Sequence, residues 1–276
     1  MNLARQYLGL WIGSGLFIAC MIFFLAMALA GWPGKPDNCV GTENGKLVDT
    51  CYCETLHDGL IKQPANTWSN LAFVIVGLAL LGVVGKFNQS SGATNAMLGH
   101  GWIPILFGCI IILMGPGRMY FHASMVDWAG FLDSISMFLL LFFIIGYDIL
   151  QFTRGKHFIW LSWLIALSAV TGGLLLVISF SEAAAYIFMG FAIATGLFDL
   201  FLHIFGSMKR SWVWYGIFLG VFGLAIFIWV ASGSDGFMCS RDALFLQGHV
   251  WWHTLSAVAM IFLFLYLRDE QGGRPD

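Results

Sequence analysis

A chain of 276 residues that is 59% hydrophobic and only 10% charged, with a mean hydropathy of +0.82, carries more apolar side chains than a soluble domain of that size encloses. A membrane-embedded chain is the economical reading, with no room for a separate soluble domain. The net charge of -2 gives no sign of a nucleic-acid-binding surface.

A helix needs about 20 mainly apolar residues to cross hydrocarbon, and eight such runs occur, at 8–31, 67–85, 101–121, 128–148, 158–180, 183–205, 213–232 and 247–267. The first follows a basic Arg5 and ends in Ala28-Leu29-Ala30, features shared with secretory signals. Its apolar run is longer than a usual signal core, so a retained helix is expected over 1–31. Gly31-Trp32-Pro33-Gly34-Lys35-Pro36 then breaks helicity, and 32–66 forms the one long polar stretch, an acidic loop with Asp37, Glu43, Asp49, Glu54 and Asp58. The remaining seven runs, 67–267, follow with several short turns and should pack as antiparallel neighbours, leaving a tail at 268–276. No repeat, low-complexity tract or P-loop occurs.

Basic residues orient the chain. With the N-terminus inside, the inner segments hold Arg5, Lys86, Arg154, Lys156, Lys209, Arg210, Arg268 and Arg274. The outer side holds Lys35, Lys46 and Lys62, all in the long loop, with Arg118 and Arg241 in or beside shorter connections. An even helix count and this bias both place the two termini in the cytoplasm. Cys39, Cys51, Cys53 and Cys239 then fall on the outer, oxidising side, where they can form two disulfides. Three pairings are open. The preferred one joins Cys39 to Cys51 and Cys53 to Cys239, tying the long loop to the connection before the last helix.

Ionisable side chains at membrane depth are costly and usually face a bundle interior or a water-filled cavity. Here they cluster: His122 closes the third run, Asp133 begins the fourth, and His249 and His253 begin the eighth. Helix parity puts all four on the outer side, although more than a hundred residues separate the first pair from the second. The i, i+4 spacing of His249 and His253 aims two imidazoles from one helical face. With His122 they make three neutral nitrogen ligands with a fourth position for water, the usual arrangement of a catalytic zinc. Zinc held this way lowers the pKa of its water to about 7 and polarises carbonyls, and Asp133 can orient that water or take its proton. The competing reading makes each His a helix cap or a backbone partner, with Trp251 and Trp252 as interfacial aromatics. Asp199 and His203 are also i, i+4, near an inner helix end, where a local ion pair is the simpler account. Glu182, His57, His100, His157 and Asp148 need no function.

At these residues the chain resembles the alkaline ceramidase family, within the seven-helix membrane hydrolases that also include the progestin and adipoQ receptors. The resemblance rests on His122 with Asp133 eleven residues later, on His249-x-x-x-His253, and on Tyr52-Cys53-Glu54 followed by Asn66-Thr67-Trp68-Ser69-Asn70. It implies an all-α polytopic bundle, a seven-helix hydrolase core preceded by one extra helix. It implies a zinc on the three histidines and hydrolysis of the amide bond of ceramide or a related membrane lipid to a sphingoid base and a fatty acid. Cys53 also fits a family disulfide to the last outer loop.

Two features depart from the family pattern. The family usually has a Ser four residues before the first His, and Arg118 stands there. A guanidinium can stabilise an oxyanion, hold a lipid carboxylate or phosphate, or block the site, and Ser124 is the candidate substitute. Tyr52-Cys53-Glu54 resembles the stretch where the family places calcium, but Cys51 replaces an expected Asp, Leu56 an Asn, and Gln63 lies near the second acidic ligand. Asp49, Glu54 and Asp58 are left as candidates for a weaker calcium site. The rival to the hydrolase is a seven-helix receptor or lipid-binding protein with a structural zinc. A transporter is a further rival if Asp199, His203 and Glu182 line one path.

Overall fold

The computed structural model describes residues 7–87, 95–99, 101–152, 182–205, 210–239, 241 and 247–270. Its elements are α1 (Leu8–Leu29), β1 (Val40–Glu43), β2 (Lys46–Asp49), α2 (Pro64–Ser69), α3 (Leu71–Phe87), α4 (Ala96–Gly99), α5 (Trp102–Ser124), α6 (Asp127–Phe152), α7 (Glu182–Phe205), α8 (Trp212–Ala231) and α9 (Gly248–Arg268). Seven spans among the described residues are long and apolar enough to cross a membrane, with α2 and α3 together forming one, Pro64–Val84. The run expected at 158–180 lies outside the described residues. The all-α polytopic bundle is as expected. Large apolar side chains such as Trp11, Leu29, Phe205 and Val230 face outward, a surface suited to lipid and prone to aggregation in water.

The second span starts earlier than its hydropathy indicates, at Pro64, the first residue of α2. Proline fits that position because its missing N–H would be unpaired there in any case. Glu54 from the loop supplies the cap from a distance: its carboxylate accepts the backbone N–H of Ala65 at 2.7 Å and of Asn66 at 2.8 Å. A negative group at a helix N-terminus is favourable.

The acidic loop is built rather than loose. β1 and β2 pair antiparallel from Val40 with Asp49 to Glu43 with Lys46, around Asn44-Gly45, both at positive φ (50° and 77°). An Asn-Gly pair with this geometry makes the tight turn whose twist matches a hairpin. Disulfide Cys39–Cys51 closes the base of the hairpin and Cys53–Cys239 ties the loop to the segment between α8 and α9, the pairing expected. Bridges join Pro36 to Val126 and Tyr52 to Gly233, so the loop is stitched to the α5–α6 junction and to the end of α8.

α1 lies against α3 and α5, with Gly9 and Gly13 under Leu81, Ile105 and Ile112, and the Tyr120 hydroxyl donates to the Cys20 carbonyl at 2.8 Å. The main core runs through α3, α5, α6 and α9, around Phe73, Phe107, Phe143 and Phe264. Gly-Pro-Gly at 115–117 lets α5 approach both neighbours. A Cβ on Gly115 would stand 3.0 Å from the Asn70 carbonyl oxygen, and one on Gly117 2.9 Å from that of Leu132. This close approach brings the histidine of α5 to the level of α2 and α9.

Candidate metal centre

His122 lies in the last turn of α5, and His249 and His253 lie on consecutive turns at the start of α9. One ring nitrogen from each converges with the others within 4.8 Å, and among the described residues this is the one such group of three. All three are buried. Tyr52 packs its ring on His249 and His122, at 4.4 and 5.0 Å between centroids.

The hydrogen-bond network sets which nitrogens face inward. Ser69 Oγ donates its one proton to the Asn66 carbonyl at 3.0 Å, so at 2.8 Å it accepts from His253 Nδ1–H. Gln63 turns its amide nitrogen to the Asp49 carboxylate and to the Glu54 carbonyl, both acceptors, which leaves its oxygen to accept from His122 Nδ1–H at 2.6 Å. Both histidines thus keep an Nε2 lone pair for another partner. His122 Nε2 is buried with no hydrogen bond, an arrangement that costs about 1–3 kcal/mol unless something accepts that lone pair. Three neutral imidazoles and an orphaned inward nitrogen fit a zinc ion.

Asp133, in the second turn of α6, stands beside Arg118 of α5, with Nε 3.5 Å from Oδ1. Arg118 is buried and Asp133 partly so, and the guanidinium carbon lies 5.0 Å from the ring of Phe73 and 5.4 Å from that of Trp252. Arg118 therefore places a charge between aromatic faces and a carboxylate. Ser124 is engaged at the end of α5, donating to the Tyr120 carbonyl at 2.7 Å and accepting from Val126 N–H at 3.3 Å.

The three residues considered for calcium do not turn free oxygens to a common point. Glu54 spends both carboxylate oxygens on the first turn of α2. Asp49 Oδ1 accepts from Cys51 and Tyr52 N–H at 2.8 Å each, and its other oxygen takes the Gln63 amide. Asp58 is exposed. Burial pushes the Asp49 carboxyl up to about 7 and that of Glu54 upward as well.

A second buried cluster lies toward the other end of the bundle. Asp199 pairs with Arg210 rather than with His203, and its second oxygen accepts from Tyr266 at 2.7 Å. Arg210 also reaches Asp148 at 2.8 Å and Glu270 at 2.9 Å. His203 packs on Trp212, at 4.0 Å between centroids. The local Asp199–His203 pair expected from spacing is thus replaced by a long-range one, because a guanidinium serves three carboxylates where an imidazole serves one. The side chain of Glu182, and His100 and His157, lie outside what the structure describes.

A family model described as Ceramidase matches residues 49–271. The chain belongs to the ceramidase family. No curated protein sequence matches it. The matched span covers the triad, Asp133, Arg118, the Cys53–Cys239 disulfide and every described membrane span except α1. Family membership and seven apolar spans make this an integral multi-pass membrane protein of a family that hydrolyses ceramide, a lipid amide. Gln63 and Ser69 fix two of the three histidines, a role that the sequence pattern, which marks Gln63 only beside the calcium stretch, does not reveal. Ser69 stands inside the Asn66–Asn70 stretch that carried the resemblance, which was the available signal.

Proposed function

We propose that this ceramidase-family chain is a zinc-dependent lipid amidase, cleaving ceramide or a related membrane lipid to a sphingoid base, or another amine, and a free fatty acid. The observation that carries the reading is the buried convergence of His122, His249 and His253 with the Nε2 of His122 unpartnered. A zinc ion there supplies a Lewis acid and a water acidified to a pKa of about 7. Asp133 takes the proton of the attacking water and delivers it to the amide nitrogen. The carbonyl carbon gains the water oxygen, the C–N bond breaks, and the amine leaves. Arg118 holds Asp133 as a carboxylate and presents its remaining N–H groups to the carbonyl oxygen on which charge develops. Ser124 is left to end α5. The histidine end faces the extracytoplasmic side, both termini are cytoplasmic, and α1, packed on α3 and α5, is retained as a helix before a 67–267 core. Substrate enters laterally from the outer leaflet.

Arg118 also favours a second reading, a receptor or lipid-binding protein whose zinc is structural, since the guanidinium occupies space that a small hydroxyl would leave open. The test is to purify the protein in detergent, measure its zinc, and assay fatty-acid release from ceramide beside His249→Ala and Arg118→Ser. About one zinc per chain with turnover, both lost in His249→Ala, is the expected result. Zinc without turnover in the parent and in Arg118→Ser selects the binding protein, and absence of stoichiometric zinc removes the enzyme.

A further inference from the structure

Gln63 is fully buried between the acidic loop and the triad. Its backbone N–H donates to the His122 carbonyl at 3.0 Å, and Lys62 N–H donates to that of Ala123 at 2.9 Å, so this strand of loop is fixed along the last turn of α5. Its side chain returns to the same residue. The amide nitrogen faces Asp49 and, at 3.4 Å, the Glu54 carbonyl, while its oxygen meets His122 Nδ1 at 2.6 Å and Asn66 Nδ2 at 3.5 Å. A backbone carbonyl cannot donate, so the amide cannot be turned over without breaking the contact to Glu54.

The same contacts bear on calcium. That ion takes six to eight oxygen ligands with their lone pairs converging on one point. Here each carboxylate oxygen of Asp49 and Glu54 faces an N–H donor, and Asp58 points to solvent. The donor set does not fit a resident calcium ion. A covalently attached amide cross-links the loop instead.

We propose that Gln63 is a positioning residue for the triad: its amide, anchored on Asp49 and Glu54, holds His122 as the Nδ1–H tautomer with Nε2 aimed at the metal, and does so with no calcium in the loop. The inference rests on the reading that the triad holds zinc. Partners of this kind typically set metal affinity by about 10–100-fold.

The test compares the parent, Gln63→Leu and Gln63→Glu, purified in detergent, for zinc affinity by chelator competition, with calcium added or removed. The parent is expected to bind zinc equally well in both conditions, and Gln63→Leu about 10–100-fold more weakly. Gln63→Glu, which puts a third carboxylate beside Asp49 and Glu54, should regain affinity when calcium is supplied. If Gln63→Leu binds zinc within about twofold of the parent, or the parent weakens on calcium removal, the inference fails while the zinc reading stands. A parent that binds no zinc overturns both. A second readout needs no variant: NMR of the isotope-labelled parent should report His122 with its proton on Nδ1, and a proton on Nε2 overturns the assignment.

Discussion

Arg118 is a charge inside a membrane helix, and its surroundings decide what it does. A lone guanidinium at membrane depth costs at least about 2.5 kcal/mol, and here the offset comes from Asp133 at 3.5 Å and the faces of Phe73 and Trp252. The pair also fixes Asp133, the proposed base. Arg118→Ser leaves that carboxylate without its cation and should impair its function as a base. Removal of a donor to the developing oxyanion typically lowers kcat by about 100–1,000-fold, and a fall in kcat with KM little changed is expected for Arg118→Ser. Arg118→Lys keeps the charge without the planar fork and should lie between the two. A rise in kcat for Arg118→Ser would show that the guanidinium obstructs the site. At this scale the sequence is informative where spacing acts: the i, i+4 pair His249 and His253 and the helix-end His122 are legible as one cluster, and they converge in the structure. Gln63 is not, because its role depends on a loop path and on partners from fourteen residues before it to fifty-nine after it.

Asp49 joins two elements, the end of β2 and the start of the second span. It is buried, and its carboxyl is raised to about 7 chiefly by that burial, against 3.8 for an ordinary Asp. The folded state therefore binds this proton more tightly than the unfolded chain does. Its contribution to stability is full below about pH 4, declines as pH rises toward 7, and is flat above that. Asp49→Asn removes the titration, so the melting temperature of the parent minus that of the variant should fall between pH 4 and pH 7. A difference constant over that range would place the Asp49 carboxyl near its ordinary value. The hairpin behind this residue was written in the sequence as Asn44-Gly45, yet hydropathy alone reads 32–66 as loop. Likewise the early start of α2 depends on Glu54, ten residues upstream of Pro64, a cap that no local pattern reveals.

Across the whole molecule the two buried charge centres occupy opposite ends. Fifteen residues of α6 separate Asp133 from Asp148, about 22 Å at 1.5 Å per residue, and α9 likewise carries His253 near one end and Tyr266 near the other. Arg210, two residues before α8, gathers carboxylates from α6, from α7 and from Glu270 beyond α9, so it ties these segments together at the start of α8. Asn95 caps the same end of α9, its amide donating to the Leu267 and Arg268 carbonyls at 3.0 and 2.8 Å. Removing one partner of a buried charge network costs about 3–5 kcal/mol, because the others remain desolvated and unpaired. Arg210→Met should therefore lower the melting temperature in detergent far more than Glu270→Gln. Combining Arg210→Met with Asp148→Asn, Asp199→Asn and Glu270→Gln should recover much of the loss. The molecules of Arg210→Met that remain folded should bind zinc as the parent does, since the clamp touches none of the residues around the histidines. Equal melting temperatures for the parent and Arg210→Met would show that the cluster is hydrated and holds nothing together. A loss of zinc affinity in the folded fraction would show that the two ends are coupled through α6 and α9, and the separation argued from helix length would then be wrong.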